Sequence, residues 1–233
     1  MNLESFDESG NAIIFGSSGG IGQALVSELK KSNHFNDVIG FSRGVGFDLE
    51  REESIQKSIS SIEKQNDIRL AIDATGFLHS KYQLPEKNLK NLSSKNLIYS
   101  FIVNAIGPSL IMKHLFPILP RSGKCVFVTL SARVGSIGDN HSGGWYAYRS
   151  SKAALNQLVK TAALELARTH PNGICVAIHP GTVSTSLSEP FTNKNWPTVS
   201  PEEASNNILN VIKTLKVSHN GGFFDWSGKE IPW

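Results

Sequence analysis

The chain is poor in cysteine and carries no dense run of charge of one sign. Two cysteines occur in 233 residues, which is too few for a disulfide framework, and Cys125 and Cys175 each lie in an apolar run typical of buried thiols. The net charge is only +3, and no cluster of Lys and Arg indicates a nucleic-acid surface. No grouping of His, Cys and Asp has the spacing of metal ligands. We therefore expect neither a metal site nor a nucleic-acid partner.

Long apolar segments are also missing. The most apolar stretch, 97–119, is interrupted by Asn104, Lys113 and two prolines, so we expect no membrane span and no membrane partner. The segment 1–10 carries acidic residues and lacks the basic start and apolar centre of a signal peptide. These absences predict a globular, cytoplasmic protein.

Short apolar runs alternate with segments of helical period along the whole chain. Strands are predicted at 12–15, 38–41, 70–74, 124–130, 174–178 and near 223–224, and helices at 21–31, 52–64, one or two within 89–119, 148–169 and 201–215. Ser200-Pro201 with Glu203 marks the start of the last helix. This alternation predicts α/β class: one domain over 1–233, a Rossmann-type doubly wound parallel sheet with helices on both faces. The irregular stretch 182–200 leaves the carboxyl edge of that sheet, so we expect a substrate lid there and not a plain surface loop.

A glycine cluster follows the first predicted strand and opens the first helix. Gly16, Gly20 and Gly22 have the spacing G-x-x-x-G-x-G, which differs from the G-x-G-x-x-G fingerprint, and no P-loop lysine follows. Glycine lets a phosphate approach the backbone, and the free N–H groups of the next helix face the same point. We predict that this loop binds a dinucleotide.

The residues after the second predicted strand favour NADP over NAD. An acidic residue at that strand's end would bind the ribose 2′-hydroxyl, whereas an arginine suits a 2′-phosphate. The chain has Phe41-Ser42-Arg43 there, and a guanidinium can bind a phosphate through two N–H groups. Ser17 or Ser18 can add a hydroxyl.

Tyr148 and Lys152 lie one helical turn apart on one face of the helix predicted at 148–169. The pKa of a tyrosine is about 10, and a nearby ammonium favours the phenolate. The pair also follows a glycine-rich turn, Gly143-Gly144-Trp145, after the fourth strand. We predict that Tyr148 is an acid and base for proton transfer.

Taken together, these features resemble the short-chain dehydrogenase/reductase family over nearly the whole chain. Within that family the sequence is most similar to the C-factor and sniffer-type carbonyl reductase branch. The resemblance implies that NADPH gives a hydride to a carbonyl carbon while Tyr148 donates a proton to the oxygen. It also implies that Lys152 lowers the pKa of Tyr148 and holds the nicotinamide ribose, and that Asn104 holds a proton-relay water.

Further stretches match the family's cofactor positions. Asp48-Leu49 matches an acidic-apolar pair beside the adenine, and Asp73 replaces the first Asn of the family's Asn-Asn-Ala-Gly. Thr185, in the segment Pro180-Gly181-Thr182-Val183-Ser184-Thr185, matches the hydroxyl near the nicotinamide carboxamide. The implied cofactor site consists of Gly16, Ser18, Gly20, Ile21, Gly22, Arg43, Asp48, Leu49, Asp73, Gly76, Tyr148, Lys152, Pro180, Gly181, Val183 and Thr185.

The catalytic serine departs from the family pattern. Ala132 stands three residues before Gly135, where the family has serine. Ser131 is one residue earlier, and a shift of one residue in a regular strand reverses the side chain. Ser136 is a second candidate. We choose Ser131 as the hydroxyl that binds the carbonyl and the growing alkoxide.

The sequence therefore predicts an NADP-dependent oxidoreductase that interconverts a small carbonyl compound and an alcohol. Phe191 and Trp196 in the lid indicate an apolar substrate, and the resemblance implies a homodimer or homotetramer. The alternative is a reductase-like dinucleotide sensor or signalling protein with little turnover, which the displaced serine and Asp73 favour. No hydrolase elbow is present. His141 and His179 are interpreted as a loop residue and a strand-end residue.

Overall fold

A parallel β-sheet lies between two layers of helices. The structure is a computed structural model, which describes residues 5–6, 10–62, 67–191 and 198–233. Its strands are β1 (Asn11–Phe15), β2 (Asp37–Phe41), β3 (Ile68–Asp73), β4 (Cys125–Leu130), β5 (Gly173–His179) and β6 (Phe223–Asp225). They are ordered β2-β1-β3-β4-β5-β6, and every neighbouring pair is parallel. The predicted fold class is confirmed.

The strand order reverses between β1 and β3. The chain crosses from β1 to β2 on one side and then passes β1 to form β3 on the other. In open α/β sheets such a switch point leaves a crevice outside the carboxyl ends of the strands, where ligands bind. The fold therefore places the glycine loop after β1 at the most favourable position for a nucleotide.

The helices divide between the two faces of the sheet. They are α1 (Gly20–Ser32), α2 (Glu52–Ser60), α3 (Ser94–Phe101), α4 (Gly107–Leu115), α5 (Tyr146–Thr169) and α6 (Pro201–Thr214). Side chains alternate along each strand: Ile13 and Phe15 pack with α2, α4 and α5, whereas Ile14 packs with α1 and α6. Both faces are buried, which explains why the strands read as continuous apolar runs.

The structure corrects several predicted boundaries. The helix predicted at 52–64 ends at Ser60, and residues 63–66 lie outside the described part of the chain. The helix predicted to begin at Tyr148 begins two residues earlier, at Tyr146. The start predicted for the last helix is confirmed, because the Oγ of Ser200 accepts a hydrogen bond of 3.1 Å from the N–H of Glu203.

The region predicted as one or two helices, 89–119, is a broken helical stretch. A turn of π-helix, Ile102–Ile106, separates α3 from α4. Short 3₁₀ turns flank the pair, at Leu89–Asn91 and Phe116–Ile118. Pro108 has no N–H for the carbonyl of Asn104, so an ordinary helical bond cannot form there. The break falls at this point.

By length and composition alone, the stretch Ser94–Ile118 could cross a membrane, since its most apolar window has a mean hydropathy of 1.3. Of that window, 39% is buried within the protein, and α4 packs against α2 and α5. Core helices meet the same criterion, so the stretch is weak support for a span.

Candidate active site

A cleft of about 650 Å³ lies at the carboxyl ends of the strands. The loops that follow β1, β2 and β3 and the ends of β4 and β5 contribute to its wall. Thirteen of the residues predicted from the sequence line it: Gly16, Ser18, Gly20, Ile21, Arg43, Asp48, Leu49, Gly76, Ser131, Tyr148, Lys152, Pro180 and Thr185. The fold thus brings the predicted cofactor loop and the predicted proton-transfer pair to one cavity.

The glycine loop is shaped by contacts that a side chain would break. Gly16 has φ +79, a left-handed conformation that favours glycine. A Cβ on Gly22 would lie 2.1 Å from the carbonyl oxygen of Gly16, so Gly22 packs the helix onto the loop without lining the cleft. The first turn of α1 has no acidic residue and no side-chain cap, which leaves its N–H groups free for an anion. These features fit the diphosphate of a dinucleotide.

The far end of the cleft holds the predicted 2′-phosphate residue. Arg43 begins a 3₁₀ turn directly after β2 and lines the cleft beside Ser42. Of the two serines proposed to assist it, Ser17 donates its hydroxyl to the carbonyl of Phe41 at 3.1 Å, whereas Ser18 is exposed in the cleft. Ser18 is therefore the available hydroxyl.

Tyr148 and Lys152 project into the cleft from the first two turns of α5. The hydroxyl of Tyr148 makes no hydrogen bond to a described residue, and burial raises the pKa of Tyr148 to about 12. Lys152 is 3% exposed, and its Nζ donates to the carbonyl of Leu130 at 2.8 Å. Burial lowers the pKa of Lys152 to about 8, against the opposing charge of Asp73.

These contacts correct one expectation. The sequence predicted that the ammonium of Lys152 would lower the pKa of Tyr148, but the ammonium is directed at a main-chain carbonyl, and burial raises the pKa of the phenol. With a pKa of about 12, the phenol of Tyr148 is neutral near pH 7, which is the form that can donate a proton.

The structure also distinguishes the two candidate serines. Ser131 lines the cleft, and its hydroxyl donates to the Oδ1 of Asn156 at 2.6 Å. Ser136 is 1% exposed and lies outside the cleft lining, where its Oγ accepts from the N–H of Asp139 at 3.0 Å. Ser131 is the one of the two that can reach a ligand.

Asn104 lies in the π-turn and is fully buried. Its Nδ2 donates to the carbonyl of Phe77 at 2.8 Å and to the Oγ of Ser151 at 3.1 Å, and its Oδ1 accepts from the N–H of Phe77 at 2.8 Å. The side chain therefore joins the loop after β3 to α5.

Three other predicted cofactor residues, Asp73, Gly181 and Val183, lie behind the residues that line the cleft. Asp73 is completely buried. Its Oδ1 accepts hydrogen bonds from the N–H and the hydroxyl of Thr75 at 3.0 and 2.5 Å, and its Oδ2 accepts one from the hydroxyl of Thr129 at 2.7 Å. Burial raises the pKa of Asp73, although these hydrogen bonds oppose the shift. Gly181, with φ +83, packs against Trp226, and Val183 is buried. Asp73, Gly181 and Val183 therefore support the lining residues and do not face the cleft themselves.

Sequence reasoning missed several lining residues, most of them in segments without periodicity. They are Gly19, Ser42, Phe47, Glu50, Ala74, Thr75, Phe77, His79, Ser80, Tyr99, Val103, Leu130, Ser186 and Leu187. The ring of Tyr99, on α3, is nearly perpendicular to that of Phe77, with 4.7 Å between the two centroids. Its hydroxyl lies 3.5 Å from the Oε1 of Glu50. A periodic pattern could have indicated Tyr99, which lies one turn before Val103.

The two histidines interpreted from the sequence, His141 and His179, lie in a loop and at a strand end as expected. His141 is exposed in the loop before α5. His179 ends β5, and burial lowers its pKa to about 4, so the ring is neutral. Among the described residues, no three His, Cys, Asp or Glu side chains are grouped as metal ligands.

Comparison with protein families decides the relationship. A family model described as enoyl-(acyl carrier protein) reductase matches residues 4–209. The chain belongs to the short-chain dehydrogenase/reductase family. Membership confirms the predicted class, an NAD(P)-dependent short-chain dehydrogenase/reductase.

Relatives extend over much of the chain. The C-signal protein of Myxococcus xanthus is 34% identical over 146 residues, which is 62% of this chain and 83% of that protein. An oxidoreductase of Saccharomyces cerevisiae is 30% identical over 256 residues, covering 93% of this chain and 95% of that protein. The similarity to C-signal agrees with the predicted branch of the family.

Solved structures show the same fold. The carbonyl reductase Sniffer of Drosophila melanogaster superposes with a TM-score of 0.78 at 21% identity, covering 97% of this chain and all of that one. The NADPH-bound carbonyl reductase from chicken fatty liver superposes with a TM-score of 0.83 at 24% identity, covering 97% and 95% of the two chains.

Proposed function

We propose that this short-chain dehydrogenase/reductase is an NADP-dependent enzyme that reduces a small, apolar carbonyl compound to an alcohol. The observation that carries the proposal is the shared cleft: Tyr148, whose hydroxyl has no partner among the described residues, lines the same cavity as the glycine loop and Arg43. A proton donor and a dinucleotide site so placed are what carbonyl reduction requires.

The roles of the side chains follow from their contacts. Bound NADPH supplies the hydride. Tyr148, neutral because burial raises its pKa to about 12, donates its proton to the carbonyl oxygen. Ser131 turns its hydroxyl from Asn156 to the same oxygen and stabilises the developing charge. Lys152 is oriented by its hydrogen bond to the carbonyl of Leu130. In this position its ammonium would bind the nicotinamide ribose and would stabilise the phenolate that forms when Tyr148 gives up its proton.

Arg43 supports the preference for NADP. It occupies the strand end where an acidic residue would select NAD. The chicken carbonyl reductase and a short-chain dehydrogenase from Burkholderia multivorans were solved with NADPH and NADP respectively. We propose the same cofactor for this chain.

A chain of aromatic rings supports an apolar substrate. Trp145 meets Tyr148 at 6.2 Å between ring centroids, Phe191 meets Trp145 at 5.4 Å, and His79 meets Phe191 at 5.1 Å, all tilted toward edge-to-face contact. The Nε2 of His79 also lies 3.1 Å from the carbonyl of Ser186. These contacts join Phe191 and Ser186, in the described part of the proposed lid 182–200, to His79 and to the start of α5, and they support a role for this segment beside Tyr148. Trp196 lies outside the described residues.

The second candidate is a dinucleotide sensor with little turnover. Two observations favour it: the hydroxyl of Ser131 is already bonded to Asn156, and Ala132 stands where the family has serine. Such a protein would bind NADPH and release it unchanged.

The test is NADPH oxidation by the purified protein with a panel of aliphatic and aromatic aldehydes and ketones. If the protein is an enzyme, we expect NADPH oxidation that requires the carbonyl compound and is lost in Tyr148→Phe. Tight NADPH binding without oxidation across the panel would support the sensor instead. The cytoplasmic location and the homodimer or homotetramer stay predictions, to be tested by fractionation and light scattering.

A further inference from the structure

Helix α5 begins without a capping side chain of its own. Its N-cap residue is Trp145, which has the left-handed conformation φ 51, ψ 43 and makes no side-chain cap. Gly143 and Gly144, with φ +61 and +65, precede it, so three left-handed residues lead into the helix. Ser, Thr, Asp or Asn ordinarily accepts from the first free N–H groups, and the indole N–H is a donor only.

Glu86 supplies the missing acceptor from a distant loop. Its Oε2 accepts from the N–H of Ala147 at 3.1 Å, across 61 positions of sequence. Its main-chain carbonyl accepts from the N–H of Trp145 at 2.5 Å. Glu86 is 3% exposed, so both bonds are shielded from water.

The surroundings of Glu86 suit a carboxylate that serves the helix. It forms no ion pair with any described residue, and its Oε1 is buried without a hydrogen-bond partner in the described chain. A buried acidic group left in this way is costly. The N–H of Ala147, in the first turn of the 24-residue helix α5, is the donor that the described chain provides for this side chain.

Arg149 holds the same turn from the other side. Its Nε lies 3.2 Å from the carbonyl of Gly143 and 3.0 Å from that of Gly144, and its Nη1 donates to the carbonyl of Val134 at 3.3 Å. The turn before α5 is thus fixed by Glu86 at the amide of Trp145 and by Arg149 at the two glycine carbonyls. Tyr148 follows directly, with the ring of Trp145 against it.

We propose that Glu86 is a positioning residue for the reaction: by capping α5, it sets where Tyr148 stands in the cleft. The inference rests on the proposed role of Tyr148, but the cap itself does not depend on that role. A displacement of the proton donor by about 1 Å is enough to cost about a hundredfold in rate.

The test compares Glu86→Gln, Glu86→Asp and Glu86→Ala with wild type. Gln keeps an oxygen at the length that reaches Ala147, Asp keeps the charge but is one methylene shorter, and Ala keeps neither. Glu165→Ala, which removes an exposed carboxylate from the same helix, is the control. Hydrogen exchange of the peptide over 145–150, the dissociation constant for NADPH, and kcat with an aldehyde are measured for each.

We expect Gln and the Glu165 control to stay close to wild type in all three measurements. Asp and Ala should exchange faster at 145–150 and lose about ten- to a hundredfold in kcat, with NADPH binding retained. A structural role alone would lower the amount of folded protein without separating kcat from NADPH binding.

Other outcomes overturn the proposal. Unchanged exchange and kcat in both Asp and Ala would show that Glu86 does not set the helix start. If Glu86→Ala fails to fold, the comparison of Glu86→Gln with Glu86→Asp tests the proposal. Equal kcat values in these two variants would contradict it. Faster exchange in Asp, with no carbonyl reduction even by wild type, would confirm the cap and instead reject the proposed function.

Discussion

The hydroxyl of Ser131 donates a hydrogen bond of 2.6 Å to the Oδ1 of Asn156, which lies one helical turn beyond Lys152 on α5. The bond occupies the only proton of the serine. The Nδ2 of Asn156 is buried with no partner in the described chain, so the pair is not a closed network. A carbonyl oxygen in the cleft can compete with Asn156 for the serine proton.

Removing this hydroxyl should slow the reaction. Loss of one donor to a developing oxyanion costs about 10²–10³ in kcat, and because the proton is shared with Asn156 we expect Ser131→Ala to lie at about 10². Ser136→Ala is the matched control, since its Oγ accepts from Asp139 away from the cleft. Steady-state kinetics of both variants check this. Equal losses, or a larger loss in Ser136→Ala, would contradict the assignment.

Arg43→Ala should weaken NADPH much more than NADH. A charge-assisted hydrogen bond contributes about 1.5–3 kcal/mol, so we expect about tenfold or more in the dissociation constant for NADPH and little change for NADH. Arg51→Ala removes an exposed arginine outside the cleft lining and serves as the control. Fluorescence titration with both dinucleotides measures the ratio. An equal loss for the two would remove Arg43 from the 2′-phosphate site.

Lys152 should make stability depend on pH. Burial lowers its pKa from 10.5 to about 8, so between these values the unfolded chain binds more protons than the folded one. The contribution of Lys152 to the free energy of unfolding then rises with pH in that window. The buried thiols of Cys125 and Cys175, whose pKa burial raises from 9.0, act in the opposite direction in both proteins compared below. Tyr148, whose pKa is raised to about 12, acts in the opposite direction only above its ordinary value of 10.

The comparison is therefore made below that pH. From about pH 8 to about pH 10, wild type should gain on the order of 2 kcal/mol relative to Lys152→Met. Urea unfolding at several pH values, without cofactor, measures the difference. If the free energy of unfolding of wild type minus that of Lys152→Met stays constant or falls from about pH 8 to about pH 10, Lys152 is not buried as described.

Phe191 should influence which carbonyl compounds react. Its ring contacts Trp145 and His79, so Phe191→Ala removes the middle of the aromatic chain beside Tyr148. We expect kcat/KM to fall more for a bulky aromatic ketone than for a small aliphatic aldehyde. Phe191→Tyr, which keeps the ring, should resemble wild type. A uniform fall for all substrates would indicate a general loss of lid structure instead.

Features encoded locally were predictable from the sequence. Ser200 caps α6 because a hydroxyl three positions before Glu203 can reach its N–H, and that geometry needs no knowledge of the rest of the fold. Tyr148 and Lys152 share a face because helical spacing alone places them there. The parallel sheet follows from apolar runs that are buried on both faces.

Features that depend on distant partners were not predictable. The direction of Ser131 is set by Asn156, 25 positions away, and the start of α5 is set by Glu86, 61 positions away. The pKa of Tyr148 depends on how far the folded chain shields its phenol from water, which no spacing of residues reveals. Asp73, predicted at the cofactor, accepts a hydrogen bond from Thr129 because β3 and β4 are neighbours.

The most direct measurement follows the hydride itself. NADPH carrying deuterium at the reactive carbon of its nicotinamide is incubated with the protein and an aldehyde, and the alcohol is analysed by mass spectrometry. We expect one deuterium on the former carbonyl carbon with wild type, and almost no labelled alcohol with Tyr148→Phe although it still binds NADPH. Labelled alcohol formed equally fast by Tyr148→Phe, or none formed by wild type with NADPH bound, would contradict the account.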